Sequence, residues 1–435
     1  MSLRRQYLVA GSLCFVFFLS FYGVTARGKL QASDEAAVFA TGVSLATRGH
    51  LAIDDFQWLQ DRVNIGERGP DGHLYAKYFP GNVFAIALVY RLTARPNDQP
   101  YVWVAEMAPS ATGARWALRL NALWGALGMT FLLILVRRYF TWRTAVLTVV
   151  LVGLCSDWWY QSRGLFSEVG AGAFLIASLF GAFYDRPFWT STALAVSLLF
   201  RPTNLVALPI WIATVWRKGW KTLSSGAVIV LGALILALYN RARFGSLIAF
   251  GYGREGFDAP LWRGLYGILL SPGRSIFVYS PVLLLAVPGA WLFYKREKGL
   301  PILCLVMVAS YIIAVAAWHS WDGGLSWGSR LITPILPVLG LLTAPALEYV
   351  WRNKWTGSAA FGLGLIGLTI QVLALLRDPT HVLIDRVASD EVKYEETIYS
   401  VRNCWLALQV RALPRWQPCD LDSSTLRHLL THCPD

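Results

Sequence analysis

The chain has 435 residues, of which 55% are apolar, 14% aromatic and only 15% charged, with a mean hydropathy of +0.46. That composition excludes an ordinary soluble globular protein, which carries far more charge for its size. A net charge of +13 would suggest nucleic acid in a soluble chain, but here much of it sits in short basic loops between apolar runs, the pattern that orients a membrane protein, and no nucleic-acid partner is expected.

Residues 6–26 carry no charged side chain and are long enough to cross a bilayer. Arg4 and Arg5 precede them, which places the N-terminus in the cytoplasm. No convincing small-residue cleavage site follows, so the segment reads as a retained span and not a cleaved signal. Residues 27–114 then form a long first loop on the opposite side of the membrane. It opens with QASDEAAVFATGVSLATRGHLAI (31–53), in which Asp34 and Glu35 stand just ahead of a helical pattern of small and apolar residues ending at Gly49. A carboxylate pair there either caps the helix N-terminus or carries chemistry. A Gly/Asp-rich piece at 61–73 leads to KYFPGNVFAIALVYRL, whose apolar part, 78–90, is about 13 residues long. That is short for a span and reads as an interfacial or re-entrant helix.

Apolar runs follow at 120–136, 144–156, 169–184, 187–200, 202–216, 222–240, 275–294, 299–318, 331–347 and 355–376. With the first segment they make eleven spans, an all-α polytopic membrane protein with interfacial helices in its first extracytoplasmic loop. The chain divides into a transmembrane domain, 1–376, and a small extracytoplasmic tail, 377–435. Arg201-Pro202 separates two short runs, because proline removes a donor and disfavours helix at the residue before it. Dense Lys/Arg clusters at 137–143, 216–221, 295–298 and 351–354 mark the cytoplasmic side. No internal repeat is evident, so nothing supports an inverted-repeat transporter.

The opposite loops carry arginine almost to the exclusion of lysine, among them Arg241, Arg243, Arg254, Arg263 and Arg274; Lys77 is the main exception beyond residue 30. A single such arginine can snorkel to lipid headgroups. As a set, planar guanidiniums suit bidentate phosphate binding. Four segments should meet on that face: Asp34-Glu35; Lys77-Tyr78-Phe79-Pro80-Gly81; DWWYQSRGLFSE (157–168), with Asp157 and Glu168 at its ends; and LLSPGRSIFVYSP (269–281) with WDGGLSWGSR (321–330). Arg274 and Arg330 occupy equivalent places, each after small residues and before an apolar helix, a setting suited to an anion. Trp158, Trp159 and Tyr160 fit an aromatic belt better than a sugar platform. The six histidines show no ligand spacing, and no Ser-His-Asp set or phosphate-binding glycine loop is present. Cys14, Cys155 and Cys304 lie in apolar segments; Cys404, Cys419 and Cys433 lie in the tail, where one disulfide is expected if the tail is exported.

The order of one span, SDEAAVFATGVSLATRGHL with its acidic pair, KYFPGNVFAIALVYRL, Arg119 opening RLNALWGALG, and Glu168 after DWWYQSRGLFS resembles the polytopic GT-C glycosyltransferases, especially the protein O-mannosyltransferase and aminoarabinose transferase branch. The resemblance is clearest over residues 6–215. It implies sugar transfer from a polyprenyl-phosphate donor to an acceptor hydroxyl on the extracytoplasmic face of the inner membrane, with Asp34 as base, Glu35 alongside it, and Asp157 or Glu168 as a second acidic group. Lys77, Arg119, Arg201, Arg274 and Arg330 are the candidate donor-phosphate ligands. In-line displacement would invert the anomeric centre. The acceptor is a glycan, a lipid or a protein; no cofactor is certain, and a divalent metal stays open. The competing class is a transporter or flippase of a lipid-linked glycan, which would place its ionisable groups at mid-membrane.

Overall fold

The computed structural model describes residues 3–95, 112–253, 255–350 and 354–431. Arg254, Cys433 and most of the 351–354 basic cluster lie outside the described residues. Among the described residues the only strands are Gly66–Arg68 and Leu74–Ala76, an antiparallel hairpin pairing Gly66 with Ala76 and Arg68 with Leu74. Its turn is the Pro70-Asp71-Gly72 sequence, with Gly72 at φ 84°. Everything else is helix and connection.

Among the described residues six helices are long and apolar enough to cross a membrane: Arg4–Thr25, Thr112–Tyr139, Trp220–Phe244, Gly299–Ala317, Arg330–Glu348 and Lys354–Leu376. Trp142–Leu154, Ser167–Phe183 and Pro187–Phe200 are shorter apolar helices packed among them. The protein is an integral, multi-pass membrane protein. Several expected spans are not continuous helices. The 275–294 run is divided at Ser280-Pro281 into Ile276–Tyr279, a 3-10 turn and Ala286–Arg296, since proline cannot donate into the preceding turn. The 202–216 run is a 3-10 segment, Pro202–Ala207, followed by Leu208–Lys218. The segment after Phe244, which the sequence predicts as loop, contains a further apolar helix, Leu261–Leu270.

Helix Pro80–Thr93 is 14 residues long, shorter than the roughly 20 residues of a usual span. Lys77, just before it, pairs with Glu255, and its last turn, Tyr90 with Ala94, packs on Gly113 at the start of the next helix. Its inner face lies against Ser33–Arg48, and Gly42 is where the two approach closely: a Cβ there would stand 2.5 Å from the Ile86 side chain.

The tail folds into Pro379–Ala388, Tyr394–Tyr399, Trp405–Ala412 and Ser424–Leu430. Its apolar side chains Val382, Leu383, Trp405 and Leu408 share one core with Tyr160, Tyr279, Trp327, Ile370 and Ala374 of the preceding chain. Cys419 is disulfide-bonded, whereas Cys404 is a free, buried thiol.

Candidate functional site

The first-loop helix Ser33–Arg48 begins with Asp34, whose side chain is half-buried, and continues inward with Glu35, which is fully buried. Adjacent positions on a helix point about 100° apart, so the pair divides. Asp34 keeps 31% of its side chain exposed; Glu35 faces the core.

Two close donors hold Asp34, with the Ser33 hydroxyl a longer third at 3.5 Å from Oδ1. The Tyr78 hydroxyl donates to Oδ1 at 2.7 Å, and Arg330 Nη1 donates to Oδ2 at 3.0 Å. Burial by itself would raise this carboxyl, but the Arg330 guanidinium, the Tyr78 hydroxyl and the charge of Lys77 together hold it below the usual carboxylate range. Arg330 reaches on: its Nε lies 3.5 Å from Glu168 Oε1, and its guanidinium rests 4.2 Å above the Phe166 ring. Glu168, 1% exposed at the start of Ser167–Phe183, is bound in turn by Arg201 Nη2. Arg201 is in the extended region, φ −151° and ψ 110°, as expected for a residue before proline, and so leaves the helix axis at this point. The result is a line of alternating charge, Asp34, Arg330, Glu168, Arg201, drawn from four separate segments.

The loop 245–253 brings Tyr252 near this line, within electrostatic reach of Arg201, Asp34 and Glu168. Tyr252 packs at a tilt on Phe79 and meets the Trp318 ring edge-on. Beside it, Glu255 accepts from Lys77 at 2.6 and 2.8 Å and from Asn64 at 3.0 Å, with His319 Nε2 3.4 Å away. The Lys77 ammonium also stands 5.3 Å from the Tyr252 ring.

The other nominated residues are engaged elsewhere. Glu35 accepts from the backbone N–H groups of Leu165 and Gln31 at 2.7 and 2.8 Å and faces Arg27 at 3.8 Å. Burial pushes its carboxyl up, against the pull of Arg27 and those N–H groups. Arg27 and Arg163 share Asp422 of the tail, at 3.4 and 2.9 Å, all three side chains being buried. Asp157 lies beneath Gly328, with its Oδ2 accepting from Gln161 at 3.2 Å and its Oδ1 buried without a hydrogen bond. Burial lifts its pKa to about 7, although Gln161, Arg27 and Arg274 work the other way. Arg274 is spent on backbone carbonyls of the 321–330 loop, those of Ser326, Gly328 and Gly324, and lies 4.6 Å from the Trp405 ring. Arg119 donates to the Arg115 carbonyl and to Thr425 Oγ1 at 2.7 and 3.1 Å.

Sequence reasoning did not nominate Tyr78 as a ligand of Asp34, nor Glu255 as the partner of Lys77, nor Arg27, Arg163 and Asp422 as a buried cluster. The signal for Tyr78 was its place beside Lys77 in the motif already quoted. Among the described residues no group of three or more His, Cys, Asp or Glu is arranged to hold a metal ion. A cavity of about 590 Å³, lined by Phe180, Tyr184, Asp185 and Trp189, opens at the other end of the helix that Glu168 begins. None of the four charged site residues lines it.

No family model and no curated protein matches the chain. Solved structures do. ArnT from Cupriavidus metallidurans bound to undecaprenyl phosphate aligns at a TM-score of 0.56 and 14% identity, covering 96% of this chain and 76% of that one. The same protein in its apo state aligns at 0.51 and 14%, covering 98% and 78%. The apo oligosaccharyltransferase of Archaeoglobus fulgidus aligns at 0.53 and 12%, covering 83% of this chain, which spans about half the length of that larger protein (55%). The fold is that of the GT-C membrane glycosyltransferases.

Proposed function

We propose that this protein transfers a sugar from a polyprenyl-phosphate donor to an acceptor hydroxyl on the extracytoplasmic face of the membrane, with inversion. The observation that carries the reading is the alternating line of Asp34, Arg330, Glu168 and Arg201 at one end of the helices. The undecaprenyl phosphate held by the ArnT structure is the chemistry such arginines suit.

Each group has a role. The acceptor hydroxyl attacks the anomeric carbon, the bond from that carbon to the phosphate oxygen breaks, and the acceptor proton passes to Asp34. The departing polyprenyl phosphate carries the charge, which Arg330 and Arg201 stabilise, with Lys77 close by. Glu168 keeps both guanidiniums in place while the donor is absent. Because Asp34 stays ionised well into the acid range, it is a ready hydrogen-bond acceptor at neutral pH; its strength as a base comes from placement more than from basicity. The isoprenoid chain lies along the apolar helices. Glu35, Arg274 and Asp157 hold the segments around the line in place.

The test uses the full chain purified into liposomes, with undecaprenyl-phosphate-linked sugars of several types supplied in parallel and donor cleavage and sugar transfer both followed. Asp34→Asn preserves size and removes the base. Turnover should fall by about 100-fold or more, the usual scale for losing a general base, while undecaprenyl phosphate still binds. Transfer at wild-type rate by Asp34→Asn would remove Asp34 from the mechanism. Movement of the lipid across the bilayer with no cleavage of any donor would make the protein a flippase.

A further inference from the structure

We infer that Tyr78 is a positioning residue for the reaction proposed above: its hydroxyl and the Arg330 guanidinium each take one oxygen of Asp34 and fix the plane of that carboxylate toward the acceptor. The inference rests on Asp34 being the group that receives the acceptor proton.

The placement of Tyr78 is itself built. Arg243, 1% exposed on the helix Gly226–Phe244, donates to the backbone carbonyls of Ala76 and Tyr78, the latter at 3.0 Å. Its guanidinium is held between the Tyr239 and Phe244 rings, 3.9 and 4.6 Å from their centroids, and by Asn240 at 2.9 Å. The backbone on either side of Lys77 is therefore pinned. Phe79 then turns extended, φ −84° and ψ 159°, into Pro80, which starts the next helix. With its main chain fixed in this way, the Tyr78 ring has one polar contact to make, and it ends on Asp34 Oδ1.

A carboxylate with a donor on each oxygen cannot swing about its last bond without losing one of them. Oδ2 keeps a second lone pair, Oδ1 has only the long Ser33 contact at 3.5 Å beside Tyr78, and the exposed 31% of the side chain leaves room for an acceptor hydroxyl. The phenol is the better suited donor of the two for this task, because it is neutral. Arg330 also serves Glu168 and, in the proposed reaction, the phosphate; among the described residues the Tyr78 hydroxyl donates to Asp34 alone. The titratable and charged groups facing Asp34 are Arg330 from the span, Lys77 and Tyr78 from the segment before Pro80, and Tyr252 of the loop 245–253, with Glu168 and Arg201 behind Arg330.

Tyr78→Phe removes one oxygen and keeps the ring. In the full chain in lipid nanodiscs, titration of the Asp34 carboxyl is read as the infrared band that Asp34→Asn deletes. Its midpoint should move upward by roughly 0.5–1 pH unit, because a hydrogen bond to the charged form has been lost. With the polyprenyl-phosphate donors used above, kcat should fall by about 10-fold, at the low end of a general-base effect, and the donor KM should stay within about 2-fold. A purely structural tyrosine would lower the yield of folded protein and move neither the midpoint nor the ratio of kcat to KM. An unmoved midpoint overturns the contact. A moved midpoint with unchanged kcat overturns the positioning role. If the midpoint moves but Asp34→Asn is fully active, the contact stands and the proposed base falls instead.

Discussion

Arg274 and Arg330 are the same in local sequence: each follows a stretch of serine and glycine and precedes an apolar segment. Structurally they are opposites. Arg274 closes on three backbone carbonyls of the 321–330 loop and touches no carboxylate. Arg330, at the end of that same loop, spans two carboxylates, one of them partly exposed. One guanidinium is consumed in shaping the loop that presents the other. The difference teaches that a buried arginine is classified by what it meets. Carbonyl dipoles have no further use for it, whereas carboxylates can be exchanged for an incoming phosphate.

The comparison breaks most sharply by mutation of the pair. Arg274→Ala strands three carbonyls that a charged donor had satisfied, and should cost about 3 kcal/mol or more of stability, seen as a large drop in the thermal midpoint of the purified protein. Arg330→Ala should lose less stability yet bind undecaprenyl phosphate about 10-fold or more weakly, one charge-assisted bond being worth roughly 1.5–3 kcal/mol. Equal melting curves for the two variants, or equal lipid affinities, would erase the distinction. The carboxylates Asp34 and Glu35 repeat it one residue apart. Glu35→Gln turns an acceptor toward a backbone N–H into a donor and should destabilise by about 1–3 kcal/mol, leaving the turnover of the folded fraction within about 3-fold. A Glu35→Gln protein that is stable but inactive would mean that the base is Glu35.

The smallest effect concerns Asp157. Its pKa in the folded protein is raised to about 7, so the neutral acid is the form that suits the fold. Its contribution to stability is therefore complete below the ordinary Asp range and disappears as the pH rises through 7. Asp157→Asn mimics the neutral form, and its thermal midpoint relative to wild type should climb between pH 5 and pH 8. A constant offset across that range would mean that Asp157 is ionised throughout.

The membrane class, the short helix before residue 95 and the break at Arg201-Pro202 were all legible, because each depends on run length or on proline and needs no knowledge of partners. Asp34, Glu168, Arg201 and Arg330 were legible as charged groups at helix ends. Their connection into one line was not, since Arg330 and Asp34 are 296 positions apart and nothing local records the pairing. The hairpin at Gly66–Ala76 carried a readable Pro-Asp-Gly turn but its strands are only three residues long, too short for alternation to register. Arg27 and Arg163 were not nominated for the same reason: the deciding carboxylate, Asp422, comes from the far end of the chain.

That distance makes the tail part of the interior. Asp422 follows Arg163 by 259 positions, and it is the tail that brings the carboxylate both guanidiniums need. Without it Arg163 would lose this carboxylate and Arg27 would keep Glu35 at 3.8 Å, a costly arrangement for buried cations. Ser424 and Ser423 tie the same corner to the carbonyls of Arg27 and Val24. A segment remote in sequence thus closes the wall behind the first loop, so that damage to the tail would reach the surroundings of Asp34 without touching it.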